Sequence, residues 1–190
     1  REIYIFASPL VIHTVVGGIV VIFDIWLLKN TANTDQVGVY GVAIAISQVP
    51  MFLVTPMIPL LTREFSALAQ KERFNEMSRL FDSLVTPCYI IVTFICICGV
   101  FYSEMTLTFL GEKYVFGLTA ITVVMIYPIL QTMYQFSMVI LLSVGETRHV
   151  RNITIYGAIF GVPLALIFLY FYKYGAVGLI IKILAVNVLV

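Results

Sequence analysis

Charged side chains are scarce in this sequence. Of 190 residues, 11% are Asp, Glu, Lys or Arg and 61% are hydrophobic, and the mean hydropathy is +1.04. Soluble domains carry about 25% charged and about 45–50% apolar residues. Because this chain has too few polar side chains to cover a surface in water, its composition excludes an ordinary soluble domain and predicts an integral membrane protein.

Several signatures of chemistry are also missing. The net charge is +1, and the scattered Lys and Arg residues form no basic field for nucleic acid. The sequence has no phosphate-binding glycine loop, no metal-ligand cluster and no nucleophile beside a base. The predicted outer connections, about 29–37, 103–113 and a few residues around 173, are too short and too poor in carboxylates and histidines for an active site. We therefore expect no enzyme, no cofactor and no nucleic-acid partner.

Cysteine is limited to three residues. Cys96 and Cys98 are separated by one residue inside an apolar segment, so on a helix they point to nearly opposite faces. This geometry argues against a metal site or a disulfide, and we interpret both residues, with Cys88, as packing residues.

Six long apolar segments dominate the chain. A membrane-spanning helix needs about 20 such residues, and backbone groups in lipid must bond within their own segment, so each segment is predicted to be a helix. The predicted fold class is all-α, a polytopic membrane bundle of about six transmembrane helices forming a single lobe over residues 1–190. The segments, named a to f, are Ile3–Leu28, Gly38–Leu61, Ser83–Ser103, Tyr114–Gly145, Asn152–Tyr172 and Tyr174–Val190.

Basic residues predict the orientation of these segments. Seven of the eleven Lys and Arg residues flank the segments on the side where the chain begins, and three, Lys29, Lys113 and Lys173, flank the opposite side. The positive-inside rule then places the first side in the cytoplasm. Because the chain starts with Arg1 and stops at Val190 within an apolar run, we expect a fragment of a longer protein.

The longest connection, 62–82, also follows a helical pattern. Its apolar residues repeat at helical spacing with charged residues between them. This pattern predicts an amphipathic helix lying along the headgroups, either as a docking element or as a plain connector.

Prolines predict bends in two segments. Segment b contains Pro50, Pro56 and Pro59, and segment d contains Pro128. Proline removes a backbone donor and bends a helix. Segment d would be about 48 Å long if straight, compared with about 30 Å of hydrocarbon, so it must tilt, kink or project.

Two charged residues lie within apolar segments, where such groups are costly and often functional. Asp24 is expected near the outer boundary, as a structural anchor or as a group that couples an ion or contacts substrate. Lys182 lies about 12 Å into segment f. With Asn187 further along, it either presents a donor to an anion such as a phosphate or extends its ammonium group to the interface.

Uncharged polar residues give a second group of candidates. Gln131, Tyr134 and Gln135 fall on one face of a helix just after Pro128. They either line a polar cavity, where amides and phenols suit sugar hydroxyls, or bond one helix to another. His13 is interpreted as a packing residue rather than a proton relay.

Several stretches, in this order, resemble the second half of a polysaccharide (O-antigen type) flippase. They are FDIWLLKNTANTDQVGVYGVAIAISQVPMF, PLLTREF, MIYPILQTMYQFS, GETRHVRNITIYG and IIKILAVNVLV. These flippases belong to the multidrug/oligosaccharidyl-lipid/polysaccharide exporter superfamily, whose members have two helical lobes around a central cavity. The peptidoglycan-precursor branch has charged residues early in its eighth helix, whereas Val42–Ile46 is apolar here, which favours another undecaprenyl-linked glycan.

The resemblance implies a function and its partners. The whole protein would flip a lipid-linked oligosaccharide across the bacterial inner (cytoplasmic) membrane for surface polysaccharide synthesis, with an N-terminal lobe of the same chain completing the cavity. Lys182 would bind the pyrophosphate, while Gln131, Tyr134 and Gln135 would bind sugars and Asp24 would couple a cation. Two alternatives stay open: a cation-coupled small-molecule exporter of the same superfamily, and a membrane assembly subunit that transports nothing.

Overall fold

A computed structural model describes residues 2–111 and 117–189 of the chain. Within these ranges the protein is helical and has no β-strand. Arg1, Lys113, Val190 and the predicted start of segment d at Tyr114 lie outside the described residues. The elements are α1 (Glu2–Thr31), α2 (Thr34–Ser47), α3 (Met51–Val54), α4 (Met57–Gln70), α5 (Phe74–Phe101), α6 (Ser103–Leu110), α7 (Leu118–Val124), α8 (Tyr127–Val144), α9 (Thr147–Leu166), a π-helix (Ile167–Phe171) and α10 (Gly175–Leu189).

Five helical stretches of the described residues are long and apolar enough to cross a membrane. The sixth predicted segment corresponds to α10, an apolar helix of 15 residues. At 1.5 Å per residue α10 is about 22 Å long, shorter than the hydrocarbon core of about 30 Å. The predicted all-α polytopic membrane bundle is confirmed, with α10 as a shorter sixth helix. The five stretches are Ala7–Thr31, Met51–Gln70, Phe74–Phe101, Leu118–Val144 and Thr147–Phe171.

Prolines divide segments b and d, where the sequence predicts bends. α2 ends at Ser47, and Pro50 and Pro56 are the N-cap residues of α3 and α4. Pro128 lies in the first turn of α8, just after the break from α7. Proline is tolerated at the start of a helix because an N–H there would have no partner within the helix. Segment b is therefore three helices, and the described part of segment d is two.

The predicted amphipathic helix over 62–82 is not one helix but the end of α4 and the start of α5. α4 continues to Gln70 and α5 begins at Phe74, so residues 71–73 form a turn between the two helices. The Phe65 side chain is fully buried, its ring centroid lies 6.5 Å from that of Phe81, and Met77 packs against the same cluster. The apolar face of this segment is thus covered by neighbouring helices instead of by lipid headgroups.

Three buried clusters hold the helices together. The first joins α3, α4, α5 and α8 and contains Cys88 and Cys96 as free thiols. The second joins α2, α6, α7 and α10. The third joins α1, α9, the π-helix and α10 around Leu28. Because α1 and α10 both pack against α9, the third cluster brings the segments that carry Asp24 and Lys182 together.

A contact with α2 fixes the start of α10. The Gln36 side-chain oxygen Oε1 accepts a hydrogen bond from the backbone N–H of Ala176 at 3.0 Å. Gly175 has a φ of 56°, and a Cβ atom at this position would lie 2.6 Å from the same Gln36 oxygen. Both the backbone conformation and the available space therefore require glycine. This contact sets the position of Lys182, two helical turns further along α10.

Candidate functional site

An ion pair lies inside the bundle. The Nζ atom of Lys182 on α10 donates a hydrogen bond to Oδ2 of Asp24 on α1 at 2.6 Å, and each side chain is 5% exposed. A charge buried in a membrane protein is strongly destabilising unless a partner neutralises it. The two charged residues that the sequence places inside apolar segments therefore neutralise each other, and Lys182 does not extend to the interface.

The other oxygen of Asp24 is not used. Among the described residues, Oδ1 of Asp24 is buried and has no hydrogen-bond partner. Tyr40 on α2, whose phenol is uncharged near neutral pH, lies near Asp24. A buried carboxylate oxygen normally accepts hydrogen bonds, so Asp24 retains an unfilled acceptor beside the ion pair.

A glycine on α9 makes room for the lysine stem. A Cβ atom at Gly161 would lie 3.0 Å from Cε and 3.5 Å from Nζ of Lys182, and 3.2 Å from Cγ2 of Val186. Contacts of 3.0–3.4 Å are tighter than those of most Cβ atoms. The absence of a side chain at residue 161 therefore lets the Lys182 stem pack directly against the backbone of α9.

Gly161→Ala is expected to destabilise the protein by about 1–3 kcal/mol, the usual cost of overpacking a filled site. The added methyl group pushes Lys182 away from Asp24. Unfolding in mixed micelles titrated with dodecyl sulfate, followed by circular dichroism, measures the effect. Gly18→Ala on α1 is the matched control, because a Cβ atom there meets nothing within 4 Å. Equal stability of the two variants would contradict the packing role of Gly161.

A cavity of about 300 Å³ lies next to the ion pair, between α1, α8, α9 and α10. Lys182 forms part of its wall, so the residue that binds Asp24 also borders the cavity. Most of the remaining wall is apolar, including Val20 and Val186. The polar residues of the wall are His13, Tyr134, Thr154, Lys182 and Asn187.

His13 joins α1 to α9 at this cavity. Its Nδ1 atom is hydrogen-bonded to the hydroxyl group of Thr154. Tyr134 on α8 lies beside the same threonine, so three helices contribute to one polar group of side chains. The interpretation of His13 as a satisfied packing residue agrees with its bond to Thr154. The structure adds that its side chain also faces the cavity.

The structure unites some of the predicted site residues and separates others. Tyr134, Lys182 and Asn187 line the same cavity. Gln131 and Gln135 occupy the same helix as Tyr134 but are not part of this wall, although Oε1 of Gln135 is buried with no hydrogen-bond partner among the described residues. The side-chain amide of Asn187 donates to the backbone carbonyl of Ile183 at 2.9 Å.

Sequence reasoning missed two contributors, Thr154 and Gly161. Both lie on α9, in a segment whose hydropathy indicates only a spanning helix. A threonine commonly bonds back to its own helix, and Thr154 also donates to the carbonyl of Val150 at 3.2 Å. No pattern in the sequence identifies which glycine faces α10, because that depends on how two helices pack.

The arrangement offers one type of binding chemistry. An ammonium group has three donors and no acceptor, and one donor of Lys182 is used by Asp24. The phenol, hydroxyl and imidazole groups of Tyr134, Thr154 and His13 add hydrogen-bonding groups along the opposite walls. The wall therefore combines a few hydrogen-bonding groups, one of them an ammonium group already paired with Asp24, with a mostly apolar lining.

These features define a multi-pass α-helical membrane protein with a buried charged pair beside a cavity between its helices. No protein-family model, curated protein or solved structure matches the chain. The fold and the site geometry are therefore the basis for the function.

Proposed function

We propose that this chain is a lobe of a membrane transporter that flips a lipid-linked oligosaccharide, a polyprenyl-pyrophosphate glycan, across the bacterial inner membrane. The observation that supports this most is the position of Lys182, a cation inside an apolar bundle that borders a cavity. Intramembrane ionisable residues typically mark the path of a substrate or an ion. The resemblance of the sequence to polysaccharide flippases supports the same function.

The cavity size limits which part of the substrate binds here. Ligand pockets usually measure about 300–1,000 Å³, and this cavity of about 300 Å³ is at the lower end. It has room for the pyrophosphate and an adjoining sugar. We place the pyrophosphate at Lys182 and the sugar hydroxyls at Tyr134 and Asn187. The rest of the glycan would lie against the N-terminal lobe of the same protein.

Alternating access accounts for how such a site would work. The lobe would rock against its partner lobe and expose the cavity first to the cytoplasmic leaflet and then to the outer leaflet. The helix breaks before α3, α4 and α8 provide positions where the backbone can change angle. The protein carries out no bond chemistry in this mechanism and is proposed to be a transporter and not an enzyme.

Deletion of the gene tests the proposal. We expect loss of surface glycan and accumulation of the lipid-linked precursor in the cytoplasmic leaflet, with both restored by the wild-type gene. Surface glycan is measured by gel staining, and leaflet location by lectin access to the precursor in oriented vesicles. Normal glycan with increased sensitivity to drugs would instead identify a small-molecule exporter. Normal glycan with loss of a membrane complex would identify an assembly subunit. Either result contradicts the flippase.

A further inference from the structure

The ion pair occupies the ammonium group of Lys182, which is the cation that an anion in the cavity would bind. Lys182 already donates to Asp24 at 2.6 Å, and both side chains are 5% exposed. An anion that reaches Lys182 from the cavity therefore meets an ammonium group bound to a carboxylate. If Asp24 kept its charge, two negative groups would lie side by side where little water screens their repulsion.

We propose that an anionic group replaces the Asp24 carboxylate as the partner of Lys182. Asp24 loses its negative charge in this exchange because it takes up one proton for each anion bound. This inference rests on the proposed function, because it assumes that the substrate presents a phosphate group to the cavity. The proton comes from solvent and adds to the Asp24 carboxylate. Lys182 remains an ammonium group, and its hydrogen bond passes from Oδ2 of Asp24 to a phosphate oxygen.

The unused oxygen of Asp24 gives the proton a place to bind. Among the described residues Oδ1 has no hydrogen-bond partner, so it can accept a proton while Oδ2 is still bound to Lys182. The neutral carboxyl group then no longer attracts the ammonium group strongly. Release of the anion reverses the exchange, because Lys182 returns to a carboxylate that loses its proton.

Thermodynamic linkage makes the effect reciprocal. If the anion favours protonation of Asp24, then protonation of Asp24 favours the anion by the same factor. The affinity for the anion is expected to rise as the pH falls, by up to about tenfold per pH unit for one linked proton. A substrate with two negative charges that travels with one proton carries one net negative charge outward. A membrane potential that is negative inside favours this movement.

Other ionisable groups near the pair define the controls. Phenols remain protonated below about pH 10, so the tyrosines do not change charge in the range of interest. Histidine is the side chain that ordinarily titrates near neutral pH. α7 has no ionisable residue, and the π-helix contributes only the exposed Tyr170. Within the described part of the chain, the ionisable groups near the pair or in the cavity wall are Tyr40 on α2, Tyr134 on α8 and His13 on α1, and Tyr127 on α8 lies near Tyr40.

The test uses the full-length protein in nanodiscs and farnesyl pyrophosphoryl N-acetylglucosamine as the probe. Each phosphate of this probe carries one ester bond and one anhydride bond, so the probe lacks the terminal phosphate group that titrates near pH 6 and its charge is constant between about pH 6 and pH 8. Binding is measured by calorimetry across that range, and proton uptake by a pH indicator in weak buffer. Farnesyl glucoside, which has the same chain without charge, is the control ligand.

We expect about one proton taken up per bound probe and an affinity that increases toward low pH, with no proton uptake for farnesyl glucoside. Asp24→Asn should bind the probe at least as tightly as wild type at low pH and without pH dependence, while His13→Gln should keep the pH dependence. The proton measurement on the wild type stands even where Asp24→Asn does not fold.

Three results would overturn the inference. Probe binding without proton uptake contradicts the proposed exchange at Asp24 and leaves the proposed transport function intact. Persistent pH dependence in folded Asp24→Asn assigns the proton to another group. Absence of probe binding at every pH, in the wild type and in Asp24→Asn, contradicts the proposed substrate class and the exchange together.

Discussion

Replacing Lys182 by Gln is expected to lower the free energy of unfolding by about 3–5 kcal/mol, the usual effect of removing one partner of a buried ion pair. The loss arises because Asp24 stays buried, 3% exposed, without its cation, so it must either remain an unpaired charge or take up a proton. Titration of mixed micelles with dodecyl sulfate, followed by far-ultraviolet circular dichroism, measures the change. Cell-membrane protein levels should fall in parallel.

Lys173→Gln is the matched control for this experiment. Lys173 is exposed in the turn before α10, and surface substitutions usually change stability by less than about 0.5 kcal/mol. An equal effect of the two substitutions would show that Lys182 contributes no more than a surface charge. Such a result would remove the ion pair from the energetics of the fold.

The double variant Asp24→Asn with Lys182→Gln is expected to fold but not to transport. Removing both charges leaves no uncompensated ion, and replacing a whole buried pair is often neutral. Glycan export should nevertheless fall at least about tenfold, because a hydrogen bond to a charged group contributes about 1.5–3 kcal/mol and each 1.4 kcal/mol corresponds to tenfold. Surface glycan per molecule of folded protein is the quantity to measure.

The double variant separates a structural role from a transport role. Stability close to wild type with export close to wild type would mean that Asp24 and Lys182 only hold α1 to α10. Low stability together with low export would show that the amides do not replace the pair, and comparison with both single variants, Asp24→Asn and Lys182→Gln, then gives the coupling between the two residues. Lys182→Arg, which keeps a cation, should retain more export than Lys182→Gln.

Helix breaks and membrane character were predictable because they depend on short stretches of sequence. Pro50, Pro56 and Pro128 mark the starts of α3, α4 and α8, and proline acts on the helix in which it lies. Hydropathy likewise identifies an apolar stretch without reference to any other segment.

The apolar face around Phe65 shows where such reasoning fails. Its helical spacing is correct, but the prediction placed it on lipid headgroups, and in the structure it packs against α5 and α8. An amphipathic pattern indicates that one face is buried and does not identify the surface that buries it. Gln131, Tyr134 and Gln135 illustrate the same limit, since they share a helix face and only Tyr134 reaches the cavity.

The sequence by itself determined that this protein is an all-α membrane bundle, that segments b and d break at prolines, and that Asp24 and Lys182 are charges inside apolar segments. Hydropathy and proline chemistry act locally, so a single chain is enough to reveal them. Tertiary structure alone decided that these two residues, 158 positions apart, form one ion pair beside a cavity. Each residue alone was compatible with an interface anchor or with a free charge. Close packing of α1, α9 and α10, which Gly161 permits, selects the pair because a charge buried there needs its opposite.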